Sequence, residues 1–306
     1  MRALTHGPDG LHTIDAPEPR PGPAQALIAV AAFSLNFGEI AYRPTGAGNG
    51  HIPGWDATGT VVEAAADGSG PAVGTRVVGF GWAGAWAERR AVDTENLAVV
   101  PAGVDPGVAA ALPVAGVTAL QAVRRLGSVL GRRVLVTGAS GGVGRFAVQL
   151  AALAGAHVIA SVGAPERGEG LRELGAAEIV LGPSALSAPV YGVLDNVGGR
   201  QLADAFYRLE PDGVVQAIGR AAREHTTIDF ESAGTNSARG RLENFNVSTP
   251  FAPDLAVLLD LLATERLRPQ IGWRGPWDRA EEAATALLSR RVQGKVVLDI
   301  ADPHQH

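Results

Sequence analysis

Apolar and polar positions change their pattern near residue 113. Before it, short apolar runs such as 26–30, 57–63 and 76–80 alternate with stretches rich in Gly and Pro. Turn residues that recur about every eight to twelve positions are typical of a small barrel or sandwich of short strands. The first third of the chain is therefore predicted to be rich in β-structure.

After residue 113, helix-length and strand-length segments alternate. The pattern predicts helices at 114–126, 144–154, around 171–174 and 202–209, and strands at 133–136, 157–160, 178–181, 190–195 and 213–218. Alternation of this kind favours a doubly wound parallel sheet with helices on both faces. The fold class expected from this part of the chain is α/β.

The periodicity changes again near residue 247. Amphipathic patterns predict helices over 253–266 and 279–289, followed by an apolar terminal strand at 296–300. A closing strand after two helices is expected to return to the first domain. We therefore predict one domain formed by residues 1–113 and 249–306, and a second domain formed by residues 114–248.

Composition and charge remove several function classes. The 306 residues carry a net charge of -5 and no cysteine. They offer no basic surface for nucleic acid or anionic membrane, no disulfide and no Cys-ligated zinc. The N-terminus lacks the apolar run of a signal peptide, and the apolar stretch 108–120 is too short to span a bilayer. A cytoplasmic location is expected.

The most informative motif is a glycine-rich turn after the strand at 133–136. Gly138, Gly141 and Gly144 stand three residues apart, between this apolar strand and an amphipathic helix. The first glycine allows a tight turn, the second lets backbone approach a pyrophosphate, and the third lets the helix pack closely. The residues expected to bind a dinucleotide here are Gly138, Ser140, Gly141, Gly142, Val143 and Gly144.

The end of the next strand indicates which dinucleotide. NAD selectivity usually needs a carboxylate about 20 residues after the motif, and residues 160–165 contain none. Ser161 offers a hydrogen bond and Arg167 a positive charge to a 2′-phosphate. The sequence therefore favours NADP(H).

Two rival interpretations use the same glycine-rich residues. Residues 138–142 also match the G-x-S-x-G elbow of a hydrolase with Ser140 as nucleophile, followed by Asp195 or Asp212 and then His225. That interpretation explains neither Gly144 nor the strand-rich first third. A short-chain dehydrogenase would need Tyr-x-x-x-Lys, and the one lysine, Lys295, follows no tyrosine at that spacing.

The chain as a whole resembles the medium-chain dehydrogenase/reductases, most closely their zinc-independent quinone oxidoreductase and enoyl reductase branch. The motifs that carry the resemblance span residues 34–39, 52–61, 73–77, 84–88, 112–119, 141–144, 194–199 and 294–298. It implies a GroES-like β-rich catalytic domain, a Rossmann domain and a homodimer. Asn36 stands where zinc-dependent members carry Cys, and Gly54-Trp55-Asp56 replaces their Gly-His-Glu, so no metal is expected.

The resemblance also implies roles for individual residues. Asn36 and Thr118 would face nicotinamide and substrate in a cleft between the domains. The cofactor would be lined by Asn196, Val197, Gly198, Ile218 and Gly219, with Asn246 and Lys295 completing the cleft. Relatives often carry a tyrosine acid one position before Tyr42. Tyr42 and Asp56 are the candidate acids here, and Asp56 would need a raised pKa to act as one. His51 and Trp55 are expected to shape the pocket, and Trp82 and Trp86 to form a lid or core.

The leading hypothesis is an NADPH-dependent oxidoreductase that transfers hydride to a quinone or an activated C=C bond. Such small acceptors take hydride without a Lewis acid, and water or a modest acid supplies the proton. A non-catalytic NADPH-binding protein of the same fold is the second hypothesis, and a serine hydrolase that uses Ser140 is the third. Neither nucleic acid nor membrane is expected as a partner.

Overall fold

The computed structural model describes residues 1–7, 10–42, 51–229, 231 and 239–300. They divide into two compact units, one of Met1–Val117 with Ser248–His306 and one of Thr118–Val247. The domain limits predicted from sequence, at residues 113 and 249, lie within a few residues of this division. The two units are described separately below.

The first unit begins with strands and short helices. Its strands up to residue 99 are β1 (Arg2–Gly7), β2 (Gly10–Asp15), β3 (Gln25–Leu35), β4 (Asp56–Glu63), β5 (Arg76–Phe80), β6 (Arg89–Asp93) and β7 (Leu97–Val99). Helix α1 (Phe37–Ala41) follows β3, and α2 (Pro106–Ala110) precedes α3 (Pro113–Arg125), which continues into the second unit. The strands β1 and β2 form an antiparallel hairpin, and β3 to β7 belong to a larger sheet.

The second unit is built on a parallel sheet. Its six described strands are β8 (Arg133–Thr137), β9 (His157–Val162), β10 (Ala176–Leu181), β11 (Val190–Asp195), β12 (Leu209–Ala217) and β13 (Arg241–Asn244). They lie in the order β10-β9-β8-β11-β12-β13, with α4 (Gly142–Leu153) after β8 and α5 (Gly199–Phe206) after β11. The predicted Rossmann-type sheet is confirmed. The order reverses between β8 and β11, where such sheets bind ligands at their carboxyl ends.

One local prediction for this unit is wrong, and one strand was not predicted. The helix expected around residues 171–174 is replaced by turns, after a short 3-10 segment at Pro165–Gly168. Gly170 and Gly175 flank the segment with φ values of 73° and 106°, so a helix cannot continue through either position. Strand β13 was not predicted, because it lies at the sheet edge, is largely exposed and lacks an apolar run.

The C-terminal segment completes the first unit. It contains α6 (Ala252–Ala263), β14 (Ile271–Pro276), α7 (Ala280–Leu288) and β15 (Lys295–Asp299). Strand β15 pairs antiparallel with β3, with Val296 opposite Leu35, so the terminal strand returns to the first domain as expected. The resulting seven-stranded sheet has the order β14-β15-β3-β4-β5-β7, and β6 also pairs with β3. Strand β14 was missed because two glycines interrupt its apolar pattern.

Apolar residues of β3, β15 and α7 form the core of the first unit. Phe33 and Trp86 are fully buried, and their rings stack with centroids 6.3 Å apart. Trp86 is therefore a core residue and not part of a lid. No helix within the described residues is long and apolar enough to cross a membrane.

Candidate functional site

The glycine turn between β8 and α4 has the geometry that its spacing predicts. Gly138 has a φ of 58°, in the left-handed region that favours glycine. A Cβ at Gly144 would lie 2.3 Å from the carbonyl oxygen of Gly138, so no other residue fits there without moving the backbone. Gly141 is the N-cap of α4. The first N–H groups of this twelve-residue helix are thus presented at the end of the sheet.

A buried carboxylate joins the ends of β8 and β11. Asp195 accepts hydrogen bonds from Thr137 Oγ1 (2.6 Å) and from the backbone N–H of Gly198 (2.8 Å). Burial raises the pKa of Asp195 above its ordinary value. The side chain of Asn196 donates to the Thr137 carbonyl over 2.9 Å. These bonds fix the loop after β11 beside the glycine turn.

The residues predicted to line a cofactor gather at this edge. A Cβ on Gly138 would lie 3.1 Å from Val197 Cγ2, and a Cβ on Gly219 would lie 2.6 Å from the Asn196 carbonyl oxygen. The backbone N–H groups of Ile218 and Gly219 both donate to the Asp195 carbonyl. The structure therefore brings together Asn196, Val197, Gly198, Ile218 and Gly219 around the turn. Asn246 is exposed after β13, and its carbonyl accepts from Arg125.

Two arginines converge on Ser140. Arg167 Nε donates to Ser140 Oγ over 2.9 Å, and Arg145 Nε donates to the Ser140 carbonyl over 3.3 Å. Arg145 also donates to the Glu169 carbonyl. Burial and the neighbouring charge of Arg167 lower the pKa of Arg145. Arg145 was not predicted as a site residue, because its position inside α4 gave no separate signal.

The residues present fit a dinucleotide that carries an additional phosphate. Ser161 Oγ and Asn196 Oδ1 are buried near the turn and have no hydrogen-bond partner among the described residues. Strand β9 ends at Val162, and the next two residues, Gly163 and Ala164, supply no carboxylate to a ribose. The helix N-terminus and the two arginines near Ser140 together provide donors and positive charge for phosphate oxygens.

The serine hydrolase arrangement does not form. Ser140 Oγ accepts from the guanidinium of Arg167. The oxygens of Asp195 accept from Thr137 and Gly198, while Asp212 pairs with Arg239. Both acids proposed for a triad therefore have partners other than His225.

In the first unit, Asp56 is the centre of a buried polar network. One of its oxygens accepts from Ser34 Oγ (2.8 Å) and Asn36 Nδ2 (2.9 Å), and the other from the backbone N–H of Val114 (3.0 Å). Lys295 Nζ lies 3.4 Å from the first oxygen and donates to Asn36 Oδ1 over 2.7 Å. Asp56 is 0% exposed and Lys295 3%.

This network changes the interpretation of three predicted residues. The Asn36 side chain uses both its amide nitrogen and its oxygen within the network. Lys295, expected to complete a cofactor cleft, has its ammonium group buried against Asn36, Asp56 and the Leu35 carbonyl. Both oxygens of Asp56 accept hydrogen bonds within this network. Thr118 is buried in α3.

Glu39, in α1, was not predicted as a functional residue. Its two oxygens accept from the backbone N–H groups of Asn36 and Trp55, each over 2.7 Å. Burial, followed by the negative charge of Asp56, raises the pKa of Glu39 from 4.5 to about 8. The spacing Asn36-x-x-Glu39 is that of a capping box and predicts the contact with Asn36. No sequence signal predicted the contact with Trp55.

A small cavity of about 60 Å³ lies beside Glu39. Its lining residues are Gly38, Glu39, Tyr42, His51, Pro53, Gly54, Trp55 and Trp82. The rings of Trp55 and Trp82 meet edge to face, with centroids 5.8 Å apart. Three of these lining residues were predicted from sequence to lie near substrate: Tyr42, His51 and Trp55. The structure places all three around this cavity. Asp56 is not among the lining residues.

Arg90 holds the walls of this cavity in place. Its buried guanidinium donates to the carbonyls of Gly54, Trp55, Gly81 and Ala83. Burial lowers its pKa to about 10. The loops that carry Trp55 and Trp82 are therefore tied to one side chain. Within the described ranges, no group of three or more His, Asp or Glu residues is placed to hold a metal ion.

Comparison with known proteins agrees with this geometry. Residues 22–102 match the family model of the alcohol dehydrogenase GroES-like domain, and residues 174–298 match that of zinc-binding dehydrogenases. Acrylyl-CoA reductase of Ruegeria pomeroyi is 32% identical over 82% of this chain and 81% of its own. A chloroplast envelope quinone oxidoreductase homologue of Arabidopsis thaliana is 31% identical, over 96% of this chain and 95% of its own.

A solved structure extends the likeness to three dimensions. A mycobacterial protein complexed with NADPH superposes with a TM-score of 0.86 at 27% identity, over 98% of this chain and 99% of that one. The chain belongs to the zinc-independent quinone oxidoreductase and enoyl reductase branch of the medium-chain dehydrogenase/reductases. It also matches part of a much longer protein. Phthioceranic/hydroxyphthioceranic acid synthase of Mycobacterium tuberculosis is 33% identical over 57% of this chain, but over only 9% of the synthase.

Proposed function

We propose that this protein is an NADPH-dependent reductase of quinones or of C=C bonds conjugated to a carbonyl. The observation that carries the proposal is the pair of arginines, Arg145 and Arg167, on Ser140 beside the glycine turn. Two guanidinium groups favour a 2′-phosphate, and the end of β9 offers no carboxylate to a free ribose hydroxyl. A structurally similar mycobacterial protein is complexed with NADPH, which supports the assignment.

The chain's own residues would hold and orient the cofactor. NADPH, when bound, supplies a hydride. The N-terminus of α4 would bind the pyrophosphate, and Gly144 keeps that helix close to the turn. The loop of Asn196, Val197 and Gly198, fixed by Asp195, would orient the rest of the dinucleotide. Fixing these groups before binding lowers the entropic cost of reaching a reactive geometry.

The acceptor is proposed from chemistry and from relatives. The chain carries neither the Cys nor the Gly-His-Glu segment of the zinc-dependent members. Quinones and conjugated carbonyls accept hydride without metal activation, and relatives include an acrylyl-CoA reductase and a quinone oxidoreductase homologue. Trp55 and Trp82 supply aromatic surface at the cavity of the first unit, against which a conjugated group would pack. By family resemblance we further infer a cytoplasmic homodimer.

The test is the consumption of NADPH and of NADH, measured by absorbance with an ortho-quinone, a simple enone, an acyl-CoA thioester and no acceptor. Acceptor-dependent loss of NADPH, with little loss of NADH, is the expected result. Binding of NADPH without turnover of any acceptor would favour a non-catalytic NADPH-binding protein. Absence of binding to either nucleotide would refute the assignment of the glycine turn.

A further inference from the structure

We propose that Glu39 is the acid that supplies the proton when the acceptor is reduced. The inference rests on the proposed reductase function and names a catalytic residue for it. Neither the motif analysis nor the family resemblance assigned this role to Glu39.

Glu39 lies at the junction of the buried network and the cavity. It is 5% exposed, yet it lines the cavity together with Trp55 and Trp82. Among the described lining residues it is the only carboxylic acid. Its two oxygens are fixed by the N–H groups of Asn36 and Trp55, which leave further lone pairs on the carboxyl group. The group is therefore rigidly held at the wall of a mostly apolar space.

Burial and the negative charge of Asp56 favour a protonated Glu39 at neutral pH. The negative charge of Asp56 on β4 disfavours the ionised form of Glu39. The positive charges of Lys295 on β15 and Arg90 on β6 favour that ionised form. On the cavity side the titratable neighbours are Tyr42 and His51. The helix packed against α1 is α7, and its acidic residues Glu281 and Glu282 are exposed. The effect of burial on the pKa of Glu39 outweighs the effect of the cations, and this pKa rises to about 8.

The other candidate acids are placed less well. Asp56 accepts from Ser34, Asn36 and the Val114 N–H, borders Lys295 and is not among the residues that line the cavity. Tyr42 is 40% exposed at the end of α1. Its hydroxyl is therefore held less rigidly at the cavity wall than the buried carboxyl group of Glu39.

The hydride from NADPH adds with its electron pair to the electron-poor carbon of the acceptor, and NADPH becomes NADP⁺. The negative charge that develops on the acceptor takes the proton from the Glu39 carboxyl group, which becomes a carboxylate. Water then returns a proton to Glu39, so each turnover consumes one NADPH and one proton.

The test compares wild-type protein with Glu39→Gln in single-turnover reduction of an enone. We expect the wild-type rate to decline above about pH 8, as Glu39 loses its proton. Glu39→Gln should lower the rate by on the order of 100-fold, remove this decline and leave the Kd for NADPH unchanged. Glu63→Gln, an exposed acid at the end of β4, is the matched control and should behave as wild type.

An independent readout does not need turnover. Infrared difference spectra of wild-type protein should show the carbonyl band of a protonated carboxylic acid that titrates near pH 8, and Glu39→Gln should lack it. If Glu39→Gln does not fold, this titration and the pH profile of the wild-type rate still test whether Glu39 is the proton donor. A residue that only positions Asn36 and Trp55 would change KM or stability without removing the alkaline decline.

Three results would overturn the proposal. They are an unchanged rate and pH profile in Glu39→Gln, a wild-type rate that is flat between about pH 6 and 10, and loss of the alkaline decline in Tyr42→Phe instead. Failure of wild-type protein to oxidise NADPH with any acceptor is a different result. It would refute the reductase function itself, whereas the infrared titration would still report the protonation state of Glu39.

Discussion

Lys295 Nζ donates a 2.7 Å hydrogen bond to Oδ1 of Asn36, a residue 259 positions earlier in the chain. The bond forms because β15 pairs antiparallel with β3 and carries the lysine to the end of that strand. The same ammonium lies 3.4 Å from Asp56. The sole lysine of the chain thereby neutralises a buried carboxylate and fixes the amide of Asn36.

Lys295→Met should therefore destabilise the protein. Removing the ammonium leaves Asp56 buried without its cation, which costs about 3–5 kcal/mol in comparable buried pairs. Urea unfolding at pH 7 measures the effect. The double variant Lys295→Met with Asp56→Asn should recover part of the loss because the uncompensated charge is gone. A loss below about 1 kcal/mol would show that the pair contributes little.

Arg167→Ala should weaken NADPH binding selectively. A charge-assisted bond to a phosphate contributes about 1.5–3 kcal/mol, so KM for NADPH should rise about tenfold or more, while KM for NADH stays nearly unchanged. Steady-state kinetics with both nucleotides measures the difference. Arg172→Ala, which removes a guanidinium bound only to a backbone carbonyl in the described structure, is the control. Equal changes for both nucleotides would disprove the 2′-phosphate assignment.

Gly144→Ala should abolish dinucleotide binding. The added methyl group would lie 2.3 Å from the Gly138 carbonyl oxygen, which forces α4 away from the turn. Fluorescence titration with NADPH and thermal unfolding measure binding and stability. Gly163→Ala is the matched control, because its Cβ would have no heavy atom within 4 Å. Tight NADPH binding by Gly144→Ala would contradict the close packing described here.

The stability of the protein should depend on pH through Glu39. Its pKa is about 8 in the folded protein and 4.5 as the ordinary value, so folding favours the protonated form. The stabilisation is fully present below about pH 4.5 and is lost as pH rises through about 8, by on the order of 5 kcal/mol. Urea unfolding of wild type and Glu39→Gln across this range isolates the contribution. A constant difference between the two proteins would contradict it.

The sequence predicted regular elements well where the local pattern was strong. The parallel strands β8, β9 and β11 are short apolar runs, and the glycine spacing after β8 fixed both the turn and the start of α4. The pattern failed where residues lacked a local signal. Strand β13 is exposed at the sheet edge, β14 contains two glycines, and the segment 171–174 has turns in place of a helix.

In the candidate site, too, the sequence predicted the residues that have a local signal and missed those that lack one. The residues near the glycine turn were predictable because they follow strands whose carboxyl ends meet at one edge of a parallel sheet. Glu39 was missed, because only burial distinguishes it from an ordinary capping glutamate. Arg145 was missed because a helical arginine usually faces solvent, whereas this one is buried against Ser140 and Glu169.

By itself, the sequence determined the fold class, the nucleotide-binding turn and the family, because periodicity and glycine spacing are local properties of the chain. Only the tertiary structure decided the roles of Lys295, Asp56 and Glu39. Their chemistry depends on contacts between strands that are distant in the chain and on the loss of water around each charge. The pairing of β15 with β3 brings Lys295 to Asp56, and burial raises the pKa of Glu39 to about 8.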